Sequence, residues 1–230
     1  PSPDERIYSA PRGLTSTALT TLPPRPKRGG IFACPERNFM AGRQAKILTS
    51  GELRRLLAHT RRSPTPERDR VIVLLSVRAG LRACEIAGLD WSMVTDARGQ
   101  VSNIIELRDA IAKKGSGRRI PIHPELSQAL VKLAPKALRI GPVVRSLRGG
   151  GMRANSIVNW FSCAFHAIGA DGCSSHSGRR TFVTAAAKAA HRAGASLRDV
   201  QLLAGHQSIE TTQRYIDGDS RAQHRLVHTL

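Results

Sequence analysis

Along residues 1–48 the apolar positions follow neither a helical nor a strand period, and Pro23-Pro24-Arg25-Pro26-Lys27-Arg28-Gly29-Gly30 interrupts any run that begins. At Thr49 the pattern changes. Thr49-x-x-Glu52 is a capping box, and Leu53, Leu56 and Leu57 follow at helical spacing. A second helix is predicted from Thr65-Pro66, with proline at the first helical position, running through Val71 to Val77 until Gly80 stops it. Its Val/Ile/Leu run is too short to span a membrane and reads as a buried helix. Beyond Gly80, Leu81-Arg82-x-x-Glu85-Ile86 begins another helix, with Arg82 and Glu85 three apart on one face.

Between Val101 and Ile122 the helical period disappears. Ile104-Ile105-Glu106-Leu107 and Arg119-Ile120-Pro121-Ile122 flank Lys113-Lys114-Gly115-Ser116-Gly117, which predicts a β-hairpin with lysines at its tip. From Pro124 onward the pattern reads as helical. One helix runs through Leu126, Leu130 and Leu133, and another carries a core stripe of Ile157, Trp160, Phe161, Ala164, Phe165 and Ile168. Three more are expected: about 177–193 ending at Gly194, about 197–204 between a Ser196/Asp199 cap and Gly205, and Ser208 to about Tyr215. The expected fold class is α+β, mainly helical, with one small antiparallel hairpin. The expected division is an irregular arm over 1–48, a folded domain over 49–220 and a tail over 221–230.

Composition adds a partner to this picture. The chain has 36 Lys plus Arg against 17 Asp plus Glu, a net charge of +19 on 230 residues. Residues 1–48 hold eight basic and three acidic side chains, a net +5, so +14 remains on the rest and the folded body is itself basic. Nucleic acid is the default partner at such a balance, ahead of a membrane surface. No stretch approaches the roughly 18 to 20 apolar residues of a membrane span, and no signal peptide opens the chain, so a cytoplasmic location is expected. Cys34, Cys84, Cys163 and Cys173 lie at scattered spacings and are expected as free thiols. Seven of the 13 prolines fall in the arm, which suits a segment that follows a phosphate backbone, packs on a neighbouring subunit or serves as a passive linker.

The candidate chemistry is concentrated near the end of the chain. His176-Ser-Gly-Arg179, Gly205-His206 and Thr211-Thr212-Gln-Arg-Tyr215 each fall at a predicted helix end, and a single tyrosine closes the series. A phenol attacks a phosphodiester without a metal only where fixed cations hold the phosphate and stabilise the developing charge. Taken singly, each piece has a plainer reading: Arg82-x-x-Glu85 as a surface ion pair, a lysine-glycine turn as a solvated hairpin, Tyr215 as a packing residue. A rival set, Cys163-x-x-His166 with Cys173-x-x-His176, offers four zinc ligands, but its inner spacing of six residues is short for a finger. There is no carboxylate cluster of the kind that holds two metal ions, and no cofactor is expected.

Gly80-Leu81-Arg82-x-x-Glu85-Ile86, a hairpin lysine, His176-x-x-Arg179, and Gly205-His206 nine residues before Tyr215 occur in that order. In this the chain resembles a tyrosine recombinase of the phage-integrase family over roughly residues 49–220. The resemblance implies that Arg82 and Arg179 clamp the non-bridging oxygens of the scissile phosphate, a task for the planar guanidinium fork. It implies that His176 and His206 add hydrogen bonds there, that one of them takes the tyrosine proton, and that Tyr215 is the nucleophile. Lys114, with Lys113 as the alternative, would protonate the departing sugar oxygen, and Glu85 would buttress Arg82.

The chain departs from the family pattern in places. Arg180 stands where histidine is common after Arg179, Ser177-Gly178 replace an acidic-apolar pair, and Ile216-Asp-Gly lacks the histidine often found beyond the tyrosine. The proline-rich arm stands where most members carry a helical core-binding domain, so site selection on double-stranded DNA is expected to be weak. Otherwise it would be supplied by the arm, by oligomerisation or by an accessory, DNA-bending protein. The family's practice implies a monomer in solution and a tetramer on paired sites, with Leu226, Val227 and Leu230 as docking contacts. The other readings are a type IB topoisomerase-like relaxation activity and a catalytically silent DNA-binding regulator of the same fold.

Overall fold

The Thr49 hydroxyl accepts from the Glu52 N–H at 3.2 Å while the Glu52 carboxylate accepts from the Thr49 N–H at 2.8 Å, and this reciprocal cap starts helix α1 (Ser50–Thr60). Lys46 adds an ion pair to the same carboxylate at 2.8 Å. That hydrogen bond first, then the one from the Thr49 N–H, holds Glu52 down at about 2. The computed structural model describes residues 45–112, 115–215 and 227–228. The arm up to residue 44, Lys113, Lys114, residues 216–226 and the last two residues lie outside that set.

Helix α2 (Pro66–Arg78) takes proline in its first turn, and its entry is tied by the buried carboxylate of Asp69, which accepts from Ser63, Thr65 and Arg68. Val71 to Leu75 are all 0% exposed. A helix apolar all round must be covered all round, and α2 packs against α1, α4 (Pro124–Leu133) and α6 (Ser177–Ala190). The α6 contact depends on Gly178, where a Cβ would overlap the Ser76 side chain.

Beyond Gly80 (φ +64°), Arg82 is the N-cap of α3 (Ala83–Gly88) and not a residue of its face; the Glu85 carboxylate accepts from the Arg82 N–H at 2.8 Å. Strands β1 (Ile104–Leu107) and β2 (Arg118–Pro121) pair antiparallel, with Ile105 opposite Ile120 facing the core and Glu106 opposite Arg119 facing out. The second strand starts one residue earlier than its apolar pattern suggests.

The stretch between α4 and α5 (Ala154–Ala167) corrects the expectation of helix from Pro124 onward. Apart from one 3-10 turn at Lys136–Leu138 it is irregular. Pro135 and Pro142 cannot donate to a helix ladder, and Gly141 (φ +73°) and Gly149 (φ +94°) turn the chain. Its backbone pairs with Leu89–Trp91 instead, and Val143 and Val144 are buried. The α5 stripe is core as expected, with Ile157, Phe161, Ala164 and Phe165 buried.

Helix α6 continues into a 3-10 turn that Gly194 closes at φ +67°. Helix α7 (Leu197–Ala204) has the Ser196/Asp199 capping box and ends at Gly205, φ +61°. The five-residue α8 (Ile209–Gln213) follows, with Ser208 as N-cap. One large apolar cluster spans Leu48 to Ala170. A second, small one consists of buried Val183, Ala190, Val200 and Ala204, with Phe182 and Tyr215 packed on it. Among the described residues no helix is long and apolar enough to cross a membrane.

Candidate catalytic centre

Glu85 is 0% exposed and sits between two guanidiniums. Arg82 donates to it from Nη1 at 2.7 Å, and Arg118 donates from Nη1 and Nη2 at 3.0 and 3.1 Å. Burial pushes the Glu85 carboxyl up, but the hydrogen bond and charge of Arg118, then those of Arg82, outweigh it and hold the group below its ordinary value. The Glu85 carboxylate thus acts as a buried anchor for two cations.

Arg179 comes from the first turn of α6 and is 4% exposed. It donates to the Gly80 carbonyl at 2.6 Å and to the Ala204 carbonyl at 2.5 Å, so it links the turn before α3 to the end of α7. The Gly80 turn is itself covered by Phe182, one α6 turn on, where a Cβ on residue 80 would overlap the ring. Burial first, then the Arg82 charge, lowers the Arg179 guanidinium to about 10, which still leaves it protonated at neutral pH.

Gly205 in its left-handed conformation turns the chain to present His206. The ring Nδ1 lies 2.9 Å from the buried Thr212 hydroxyl, and the ring stacks on Tyr215 with centroids 5.5 Å apart and planes 21° apart. Gln201, 3% exposed, donates to the His206 carbonyl at 2.9 Å. Burial, followed by the charges of Arg179, Arg82 and Arg118, pulls His206 down to about 4, so the imidazole is neutral at pH 7. It then carries one N–H donor and one acceptor nitrogen.

The structure therefore gathers Arg82, Glu85, Arg179, His206 and Tyr215 from four separated stretches of chain. His176 caps α6 three residues before Arg179 and is exposed, its Nδ1 3.5 Å from the Ser175 hydroxyl. Lys113 and Lys114 lie outside the described residues, but the stem below them is fixed: the Gly117 N–H donates to Asp109 at 2.7 Å, and a cavity of about 400 Å³ separates Gly115–Gly117 from Leu202 and His206. Cys163, His166, Cys173 and His176 do not gather as a metal site; among the described residues no three His, Cys, Asp or Glu side chains do. Cys84, Cys163 and Cys173 are free thiols, and Cys34 lies outside the described residues.

Sequence reasoning missed Arg118. The signal was present in the strand period: Arg118 and the buried Ile120 are two apart and so share the inward face of β2, whereas Arg119 faces out to Glu106. An inward arginine requires a buried carboxylate, and Glu85 is that partner.

A sequence profile described as the phage integrase family matches residues 46–221. The chain belongs to that family. Among relatives, it is 32% identical over 152 residues to tyrosine recombinase XerC of Corynebacterium efficiens, covering 64% of this chain and 46% of that protein. It is 28% identical over 210 residues to XerC of Brucella suis, covering 85% and 63%. The chain thus spans about half to under two thirds of these relatives. Its fold matches a crystal structure of XerA recombinase at TM-score 0.64 and 23% identity, over 81% of this chain and 65% of that one. It also matches a lambda integrase dimer bound to a COC′ core site, at TM-score 0.59 and 21% identity over 78% and 50%. These structural likenesses show a fold shared across the family.

Proposed function

We propose that this chain cuts and rejoins double-stranded DNA through a covalent bond between Tyr215 and a 3′-phosphate, as a site-specific recombinase acting in integration, excision or inversion. The observation that carries this reading is the stack of Tyr215 on a neutral His206 within the field of Arg82, Arg179 and Arg118. A nucleophile, a group able to hold or take a proton, and fixed cations are the three things metal-free phosphoryl transfer needs.

In the proposed reaction the Tyr215 oxygen attacks the scissile phosphorus in line. The bond from phosphorus to the 5′-oxygen breaks, leaving a 3′-phosphotyrosine and a 5′-hydroxyl. Arg82 and Arg179 hold the non-bridging oxygens; two of the five Arg179 N–H donors are committed to the Gly80 and Ala204 carbonyls and the others remain for phosphate. His176 and His206 donate to the same oxygens, and one of them accepts the phenol proton. Lys114, or its neighbour Lys113, protonates the departing 5′-oxygen. Rejoining runs the same steps in reverse, so the bond energy is retained.

The domain carrying this chemistry is 49–220, with residues 1–48 as a DNA- or subunit-binding arm and 221–230 as a segment that docks on a neighbouring subunit. A monomer in solution and a tetramer on paired sites, helped where needed by a DNA-bending protein, complete the proposal, in the cytoplasm. The net +19 supports the DNA partner, as do the DNA complexes named for two structural neighbours, a Tn1549 transposon integrase with transposon right end DNA and the lambda integrase on its core site.

The test is a nicked suicide duplex whose 5′-fragment diffuses away after cleavage. Wild type is expected to form an adduct stable to denaturation, and Tyr215→Phe to bind the duplex without forming it. No adduct from wild type, together with identical behaviour of Tyr215→Phe, sinks the enzyme reading and leaves a DNA-binding regulator; relaxation of a plasmid without exchange between two sites points to the topoisomerase-like reading.

A further inference from the structure

Arg118 contributes only its charge to the chemistry above and is assigned no contact with phosphate there, yet its side chain is tightly constrained. Its side chain is 6% exposed. Two of its N–H groups chelate the Glu85 carboxylate at 3.0 and 3.1 Å, and Nε donates to the Leu203 carbonyl at 2.8 Å. The chain passes directly over it at Gly205: a Cβ on that residue would lie 2.9 Å from Arg118 Cδ and 3.0 Å from Nη1. Every donor of this guanidinium that the hydrogen bonds use is turned toward protein, to Glu85, Leu203 and, more loosely at 3.4 Å, the Ser116 carbonyl.

Each contact ends beside a group of the catalytic centre. Glu85 holds Arg82 at 2.7 Å; Leu203 precedes the Ala204 carbonyl that receives Arg179 by one residue; Gly205 precedes His206. Among the described residues, Arg179 joins the turn before α3 to the end of α7, and Arg118 joins α3 itself, through Glu85, to the Leu203 carbonyl of α7. Arg179 is committed to phosphate in the proposed reaction. Arg118, by contrast, is committed wholly to protein groups.

We propose that Arg118 is a positioning residue that fixes Arg82, through Glu85, relative to the His206 turn, so that the phosphate clamp and the histidine are held in register before DNA binds. This rests on the reading of the site as a DNA-cleaving centre. A fork matters more than a charge in this role, because one ammonium cannot chelate the carboxylate and reach the Leu203 carbonyl together. Displacement of one side of such a site by an ångström costs on the order of a hundred-fold in rate.

The test is single-turnover cleavage of the nicked suicide duplex by the full chain at saturating DNA, reading rate constant and amplitude separately, with affinity measured on an uncleaved duplex. Arg118→Met is expected to lower the rate constant about a hundred-fold while affinity shifts less than about three-fold, since the side chain is not a phosphate contact. Arg118→Lys is expected to recover only part of the rate. The Glu85→Gln and Arg118→Met losses are expected not to multiply in the double variant, because both break one brace. A purely structural role would instead lower the amplitude, through loss of folded protein, and leave the rate constant of the remainder at wild type; that result, or losses that simply multiply, overturns the proposal. Should Arg118→Met give no cooperative melt, Arg118→Lys decides alone: a slowed rate constant supports the brace and an unchanged one removes it. Wild type run beside Tyr215→Phe separates these outcomes from failure of the enzyme reading, which shows as no adduct in wild type.

Discussion

Two parts of the centre are built on very different foundations. Arg82 and Glu85 rest on α3, which packs on α2 and α5 within the large cluster where most side chains are at or near zero exposure. His206 and Tyr215 rest on α7 and the five-residue α8, over a cluster that among the described residues has four buried members, two of them alanines. Apolar burial scales with area, so the proposed phosphate clamp sits on the stable side of the molecule and the proposed nucleophile on the marginal one. Elements that must move are drawn from the low-stability end of a fold. In the proposed reaction Tyr215, stacked on His206 here, must reach phosphorus, and it belongs there. The links between the two parts are partly apolar, through Phe182 over the Gly80 turn and Leu203 against the large cluster, and partly polar: the Arg179 bonds to Gly80 and Ala204, and the Arg118 bridge from Glu85 to Leu203.

The largest way to break this arrangement is Glu85→Ala. It leaves the buried Arg118 guanidinium without a counter-charge, which costs about 3–5 kcal/mol. Denaturant midpoints should fall accordingly for the whole domain, since the carboxylate lies under both parts; a loss below about 1 kcal/mol would mean that water reaches Arg118 and the bridge is not buried in solution. Next comes the contrast itself. Native-state hydrogen exchange without DNA should show amides of Val71–Leu75 in α2 exchanging at the global limit. Those of Leu202–Ala204 and Thr212–Gln213 should exchange about a hundred-fold faster or more, a gap of about 3 kcal/mol. Equal protection in the two sets would show one cooperative unit, with the proposed nucleophile on no looser a layer than the proposed clamp.

Much of the helical frame, in both parts, is legible in the sequence because its signals are local. The Thr49/Glu52 and Ser196/Asp199 boxes, the prolines opening α2 and α4, and Gly194 and Gly205 closing their helices act within a few residues of where they stand. The candidate catalytic set is legible by order and residue type, not by distance: nothing local says that Arg82 and Arg179, 97 positions apart in the numbering, answer to one site. What escaped is long-range or irregular. Arg118 needed the strand alternation to be carried one residue past the apolar run, and its meaning needed Glu85, 33 residues away. Residues 134–153 escaped because prolines and glycines break the period, leaving backbone pairing with Leu89–Trp91 that no side-chain pattern encodes. Thr212 was visible only as part of a Thr-Thr pair, and its bond to His206 depends on the αL turn at Gly205 folding α8 back.

The smallest effect sharpens the comparison from the marginal side, through pH. His206 titrates at about 4 in the fold, pulled down by burial and then by Arg179, Arg82 and Arg118, against an ordinary value near 6.5. A base whose pKa is lowered by folding favours the folded state while it is neutral in both states, so its contribution is complete above about 6.5. As pH falls below that, the unfolded chain takes up the proton first and stability is lost until the folded histidine protonates near 4. Glu52, held at about 2 by Lys46 and the Thr49 N–H, weakens the fold only below about 4.5, which keeps the two windows apart. Thermal melts of wild type between pH 7.5 and 4.5 should therefore decline, and those of His206→Gln, which has no proton to gain there, should be flatter over the same range. Exchange in α7 and α8 should rise in wild type before any change in α2, because a local opening there releases His206 to take up the proton that it refuses when folded beside Arg179. A His206→Gln profile parallel to wild type, or α2 opening in step with α8, would show that the histidine is solvated in the empty protein and that its neutrality is not imposed by the cations around it.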